Sequence, residues 1–170
     1  MIEAAVFLIF PLCLALAGFT DLFSMTIPNR IPAILLGSFL LISPFTGLGL
    51  QEIGFHLAMG VATFAVCFAL FAFNAMGGGD AKLLTAAAVW FGPDQSLIEF
   101  FVYVAYIGCM LTILILLVRG HANKILAVGL SLPNSITHAK KIPYGIAIAI
   151  AGFLAFPSSP LLALAVSQLH

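Results

Sequence analysis

Apolar residues run in long, nearly unbroken stretches along this chain, at about residues 4–20, 31–49, 54–74, 81–91, 97–118 and 142–166. Polar residues, glycines and prolines collect between them. A membrane-crossing helix needs roughly 20 such residues. The pattern therefore predicts an all-α integral membrane protein of six transmembrane helices, folded as a single domain over residues 1–170. The fourth stretch is the exception. From Asp80 to Phe91 a helix reaches only about 18 Å at ~1.5 Å per residue, against a hydrocarbon core of about 30 Å. One solution lets the preceding Gly77-Gly78-Gly79 run dip into the membrane boundary as irregular backbone. That is tolerated where it lies within protein or lines a watery cavity. Asp80 then stands at a helix N-terminus inside that boundary.

Composition agrees: 63% of the 170 residues are hydrophobic, 7% are charged, and the mean hydropathy is +1.22, outside the range of ordinary soluble domains. Ala15-Leu16-Ala17 ahead of Gly18 resembles a signal-peptide cleavage site, but Glu3 stands where a basic n-region belongs, so the first stretch reads as a retained span. Cys13, Cys67 and Cys109 all fall inside apolar stretches without CxxC spacing and read as packing residues. Zero net charge and scattered basic residues give no footprint for nucleic acid.

Charge then orients the chain. With six spans, the connections at 21–30, 75–82 and 119–141 share one side, and they hold every basic residue: Arg30, Lys82, Arg119, Lys124, Lys140 and Lys141. The positive-inside rule places those connections in the cytoplasm and both termini outside it. Glu3, Glu52, Asp94 and Glu99 fall on the outer side, which isolates Asp21 and Asp80 on the cytoplasmic side. An ionised acid at membrane depth costs roughly 2.5–3.5 kcal/mol on insertion scales, so such residues point to function. Each also has a plainer reading. Asp80 is an ordinary helix N-cap after a flexible glycine turn, and Asp21 is a solvated acid just past a helix end.

Two carboxyls in one site can hydrolyse a peptide bond. One neutral acid polarises the carbonyl while the ionised partner takes a proton from a water held between them. The pair titrates as a unit. No metal or other cofactor is needed, and rival chemistries lack their motifs. His56, His121, His138 and His170 are scattered without HExxH spacing, and there is no GxSxG elbow.

Three places carry a resemblance: Asp21-x5-Ile27-Pro28-Asn29, then Gly77-x-Gly79-Asp80-Ala81-Lys82-Leu83-Leu84, then Lys141-Ile142-Pro143-Tyr144-Gly145. Together they resemble the type IV prepilin peptidases, aspartic proteases of the membrane. The resemblance implies that Asp21 and Asp80 are the catalytic pair, cutting the basic leader from prepilin-like precursors at the cytoplasmic face of the bacterial inner membrane. Pro28, Asn29, Gly77, Gly79 and Lys82 share the motifs, and the resemblance implies that they position the loops or meet the substrate. Plainer readings of Asn29 and Lys82 are a turn-forming Pro-Asn pair and a snorkelling lysine.

The longer members of that family carry a cysteine-rich cytoplasmic insertion associated with N-methylation. The first cytoplasmic connection here is about ten residues long and contains no cysteine. The chain thus resembles the short, peptidase-only members, such as those of tight-adherence (Flp) pilus systems and the archaeal preflagellin peptidases, and no methyltransferase activity is expected. The 119–141 connection, with apolar Ile125–Leu132 among its basic residues, is expected to lie along the bilayer surface as an amphipathic piece. Two other classes stay open on the residues alone. A small transporter or proton-relay subunit would use the same acids, and a structural assembly subunit would use the glycines for close packing. The expected partners are a prepilin-like precursor and the lipid bilayer; oligomeric state is left open.

Overall fold

The computed structural model describes residues 2–121 and 142–167. All six apolar stretches are helical in it, and the described residues contain no strand. The helices are α1 (Ile2–Ser24), α2 (Arg30–Ile42), α3 (Leu50–Ala72), α4 (Gly78–Phe91), α5 (Gln95–Gly120), α6 (Tyr144–Ala155) and α7 (Pro160–Ser167). Short 3₁₀ turns follow α2 (Ser43–Phe45) and α6 (Phe156–Ser158).

Among the described residues, three helices have the length and apolar character to cross a membrane: Ala4–Ser24, Leu50–Ala72 and Gln95–Gly120. A fourth is added if α6 and α7, bent by 46° at the Phe156–Ser158 turn, form one broken span. The second apolar stretch is shorter than its composition suggests. Pro44 enters the 3₁₀ turn and Gly47 takes φ +90°, so helix ends at Phe45 rather than continuing to residue 49.

Each start and stop has a local cause. Glu52 reaches back to accept the Gly49 N–H at 2.7 Å and closes the first turn of α3. Gly92, at φ +64°, ends α4. Asp94 then caps α5 by accepting the Ser96 N–H at 3.1 Å. Hydrogen bonds to the Ser96 and Gln95 amides hold its exposed carboxyl below the usual carboxylate range.

The short α4 is the core of the bundle. It packs against α2, α3 and α6, and its Leu83, Leu84, Trp90 and Phe91 are buried. Outward-facing Leu8 and Phe19 of α1, Val61 and Phe68 of α3, and Ile113 and Leu116 of α5 remain exposed, as lipid-facing positions do. The C-terminal end of α4 is locked by aromatic packing. Phe10 stacks on Phe156 with centroids 4.6 Å apart, Phe91 stacks on Phe100 at 4.8 Å, and the Trp90 Nε1–H donates to the Leu35 carbonyl at 3.0 Å. Anchored there, α4 carries Asp80 at its opposite end.

Candidate active site

Asp21 lies in the last turn of α1 and is only 6% exposed. The helix stops one turn later because Met25 takes the left-handed conformation, φ +54°, with its N–H on the Asp21 carbonyl at 3.0 Å. Pro28 follows and keeps Ile27 out of helical geometry until α2 begins at Arg30. The Asp21 side chain turns inward, where its Oδ2 accepts the backbone N–H of Gly145 at 2.7 Å. That amide belongs to the first turn of α6, where orphan N–H groups and the helix dipole favour a carboxylate.

Asp80 is the third residue of α4, after Gly77 as N-cap and Gly78 and Gly79 as the first helical residues. It is half-buried, and its carboxylate folds back over Gly77: a side chain at that position would begin 2.6 Å from Asp80 Oδ2. Gly79 likewise lies against Ile27, whose Cβ would be 3.2 Å from an added methyl group. The glycine run therefore serves close approach. None of its three residues is among the positive-φ glycines, and only Gly77 is non-helical, so the irregular backbone expected from the sequence shrinks to a single residue.

Asp21 and Asp80 line the same cleft, of about 410 Å³. Asn29, Gly77 and Gly79 line it too, as do Met25 and Ile27 from the α1–α2 turn and Ile142 from the approach to α6. Exposed Thr26 and Asn29 mark its mouth. Lys82 stands outside the cleft and donates through Nζ to Asn29 Oδ1 at 2.9 Å, tying the α1–α2 turn to α4. Asn29 caps nothing in its own helix; its amide oxygen serves this cross-link. Beyond the pair, Asn29 and Lys82 border a second groove of about 280 Å³ between α2, α3 and α4. Pro28 is exposed, lines neither space, and acts on the backbone of the turn.

Gly145 and Ile142 were not singled out as site residues from the sequence, although both belong to the Lys141–Gly145 motif. Among the described residues no three His, Cys, Asp or Glu side chains converge where an ion could be held. His56 is buried between α3 and α4, bonded through Nδ1 to the Val89 carbonyl at 2.8 Å. His138, His170 and most of the basic 119–141 connection lie outside the described residues.

Two carboxyl groups thus line one cleft, one held by a backbone amide and the other folded over a glycine. The space is ample for a water and a short run of extended peptide. Compared with known proteins, residues 8–121 match the type IV leader peptidase family. That span contains Asp21, the Ile27-Pro28-Asn29 turn and Asp80, and it ends before the Ile142–Gly145 stretch. No curated protein and no solved structure matches the chain.

Proposed function

This chain belongs to the type IV leader peptidase family, and on that premise we propose that it is an aspartic endopeptidase of the membrane with Asp21 and Asp80 as its catalytic pair. Its substrates are prepilin-like precursors, from which it removes the leader. The observation that carries the reading is the shared cleft: two acids 59 positions apart, one ending α1 and one opening α4, line a single space.

The chemistry follows from that sharing. With one proton between the two carboxyls, the ionised member takes a proton from a bound water as the water oxygen attacks the scissile carbonyl carbon. The protonated member gives its proton to the carbonyl oxygen. Collapse of the resulting gem-diol breaks the C–N bond, returns a proton to the leaving nitrogen, and yields a leader carboxylate and a new amino terminus. Gly77 and Gly79 let the Asp80 carboxylate and Ile27 approach the start of α4 closely at the wall of the cleft. Pro28, Asn29 and Lys82 hold the α1–α2 turn against α4.

The topology proposed is six crossings with both termini outside the cytoplasm of a bacterial inner membrane. The cleft then opens on the cytoplasmic side, where precursor leaders are found before export. The distribution of Lys and Arg supports this orientation. The connection at 25–29 is short and lacks cysteine, which supports peptidase activity without N-methylation.

Purified protein in lipid nanodiscs, incubated with a prepilin precursor, tests the reading by mass spectrometry of both products. The expected result is one cut after the leader and a mature chain of unmodified mass when a methyl donor is supplied. An intact precursor would overturn the peptidase reading, and a mature chain 14 Da heavier would overturn its restriction to cleavage.

A further inference from the structure

Accepting Asp21 as one of the catalytic pair, we propose that Gly145 is a positioning residue for it, and that the seating of Tyr144 on α5 sets where the Gly145 amide stands. The proposal starts from an orphan group. The first N–H groups of a helix have no intrahelical acceptor, and in α6 the Gly145 N–H is used by Asp21 Oδ2 at 2.7 Å. With one oxygen fixed, the other is left to the cleft that Asp21 lines. A carboxylate so tied cannot swing among its rotamers, so a water bridging it to Asp80 finds it in one orientation.

The contact also requires glycine. An added Cβ at 145 would lie 2.8 Å from Asp21 Cβ and 2.9 Å from its Oδ2, so a side chain here would push the carboxylate away from its donor. The approach is close on the neighbouring turn as well: a Cβ at Gly18, three residues before Asp21, would sit 3.1 Å from Ala149 Cβ and 3.6 Å from the Gly145 carbonyl oxygen. α6 thus lies tight against α1 along the turn that carries the acid.

On its other side α6 is docked on α5. The Tyr144 ring lies over buried Gly108, where an added Cβ would meet ring atom Cε1 at 2.6 Å. The Tyr144 hydroxyl is 3.2 Å from Thr112 Oγ1, and Thr112 gives its own proton to the Gly108 carbonyl at 2.7 Å. The tyrosine is therefore the donor to Thr112. Ring and hydroxyl together dock the residue immediately before Gly145 onto one turn of α5. A sideways shift of that docking carries the Gly145 amide with it.

This is a claim about orientation in the reacting complex, so it predicts a loss in kcat without a matching change in KM. In nanodisc-held protein with a prepilin precursor, Tyr144→Phe removes only the hydroxyl; Gly108→Ala displaces the ring; Gly145→Ala presses on Asp21 directly. The expected order of kcat is wild type, Tyr144→Phe, Gly108→Ala, Gly145→Ala, falling in all by about 10- to 100-fold, with KM within about twofold and an unchanged melting temperature in Tyr144→Phe. Replacing Tyr144 by Leu in the Gly108→Ala background relieves the clash and restores part of the lost kcat. Wild-type kcat in Tyr144→Phe together with wild-type kcat in either glycine variant overturns the proposal. So does a rise in KM at constant kcat, which would make Tyr144 a substrate contact. Asp21→Asn serves as the control. If it is inactive while these variants turn over normally, only the positioning claim fails; if it cleaves at the wild-type rate, the catalytic pair itself is wrong.

Discussion

Lys82 Nζ and Asn29 Oδ1 lie 2.9 Å apart across 53 residues of sequence, and their hydrogen bond joins the turn that follows Asp21 to the helix that carries Asp80. The pair is exposed, so its contribution is that of an ordinary charge-assisted bond in water, about 1 kcal/mol. If it registers the two acids on each other, removing either partner reduces kcat/KM by about fivefold. Asn29→Ala and Lys82→Met are expected to do so singly, and the double variant should be no worse than either. Additive losses in the double-mutant cycle would show that the two side chains act separately.

The far end of α4 offers a contrast, because it bears on the fold without touching the cleft. Trp90→Phe removes the donor to the Leu35 carbonyl and leaves a void in the aromatic cluster around Phe10 and Phe39. The expected cost is about 2–3 kcal/mol. It should appear as a lower midpoint in thermal unfolding of detergent-solubilised protein, with cleavage per folded molecule unchanged.

Met25 is a non-glycine residue in the left-handed region, φ +54°, four residues after Asp21. That conformation costs roughly 1–2 kcal/mol for a residue with a Cβ and more for a β-branched one. Met25→Gly is expected to leave the melting temperature equal or higher, and Met25→Val to lower it. The opposite order would mean that the turn relaxes out of the left-handed region.

Asp94 supplies a pH-dependent element of the fold. Backbone amides at the start of α5 hold its carboxyl below its ordinary range. A carboxylate with a depressed folded-state pKa stabilises the protein above its unfolded value of about 3.9, and that contribution disappears as pH falls through the lower folded value. Asp94→Ala should therefore cost about 1 kcal/mol at pH 7. The gap between variant and wild type should close as the pH is taken from about 4 downward. A gap that persists at acidic pH would assign the loss to packing rather than to the charged cap.

The sequence carried the helical class and the shortness of α4, since both depend on apolar runs bounded by Gly77-Gly78-Gly79 and Gly92-Pro93. It also isolated Asp21 and Asp80, because placing the basic residues on one side leaves those two acids with them. What it did not carry depends on contacts between distant segments. Gly145 reaches Asp21 across 124 residues, and no periodicity encodes which backbone amide meets a carboxylate. Lys82 and Asn29 could each be placed in a motif, but their bond to one another follows only from the packing of α2 along α4, which brings the starts of the two helices together. The break between α6 and α7 was within reach of the sequence. Pro157 interrupts the 142–166 stretch, yet its uniform hydropathy masked the bend.

The most direct test of the account is precursor cleavage by Asp21→Asn and Asp80→Asn, each matched to wild type in membrane level and melting temperature. Asparagine keeps the size and the accepting oxygen of aspartate but can neither take up nor give the shared proton, so cleavage is expected to fall to background in both variants. Wild-type cleavage in either one would contradict a catalytic pair formed by these two residues.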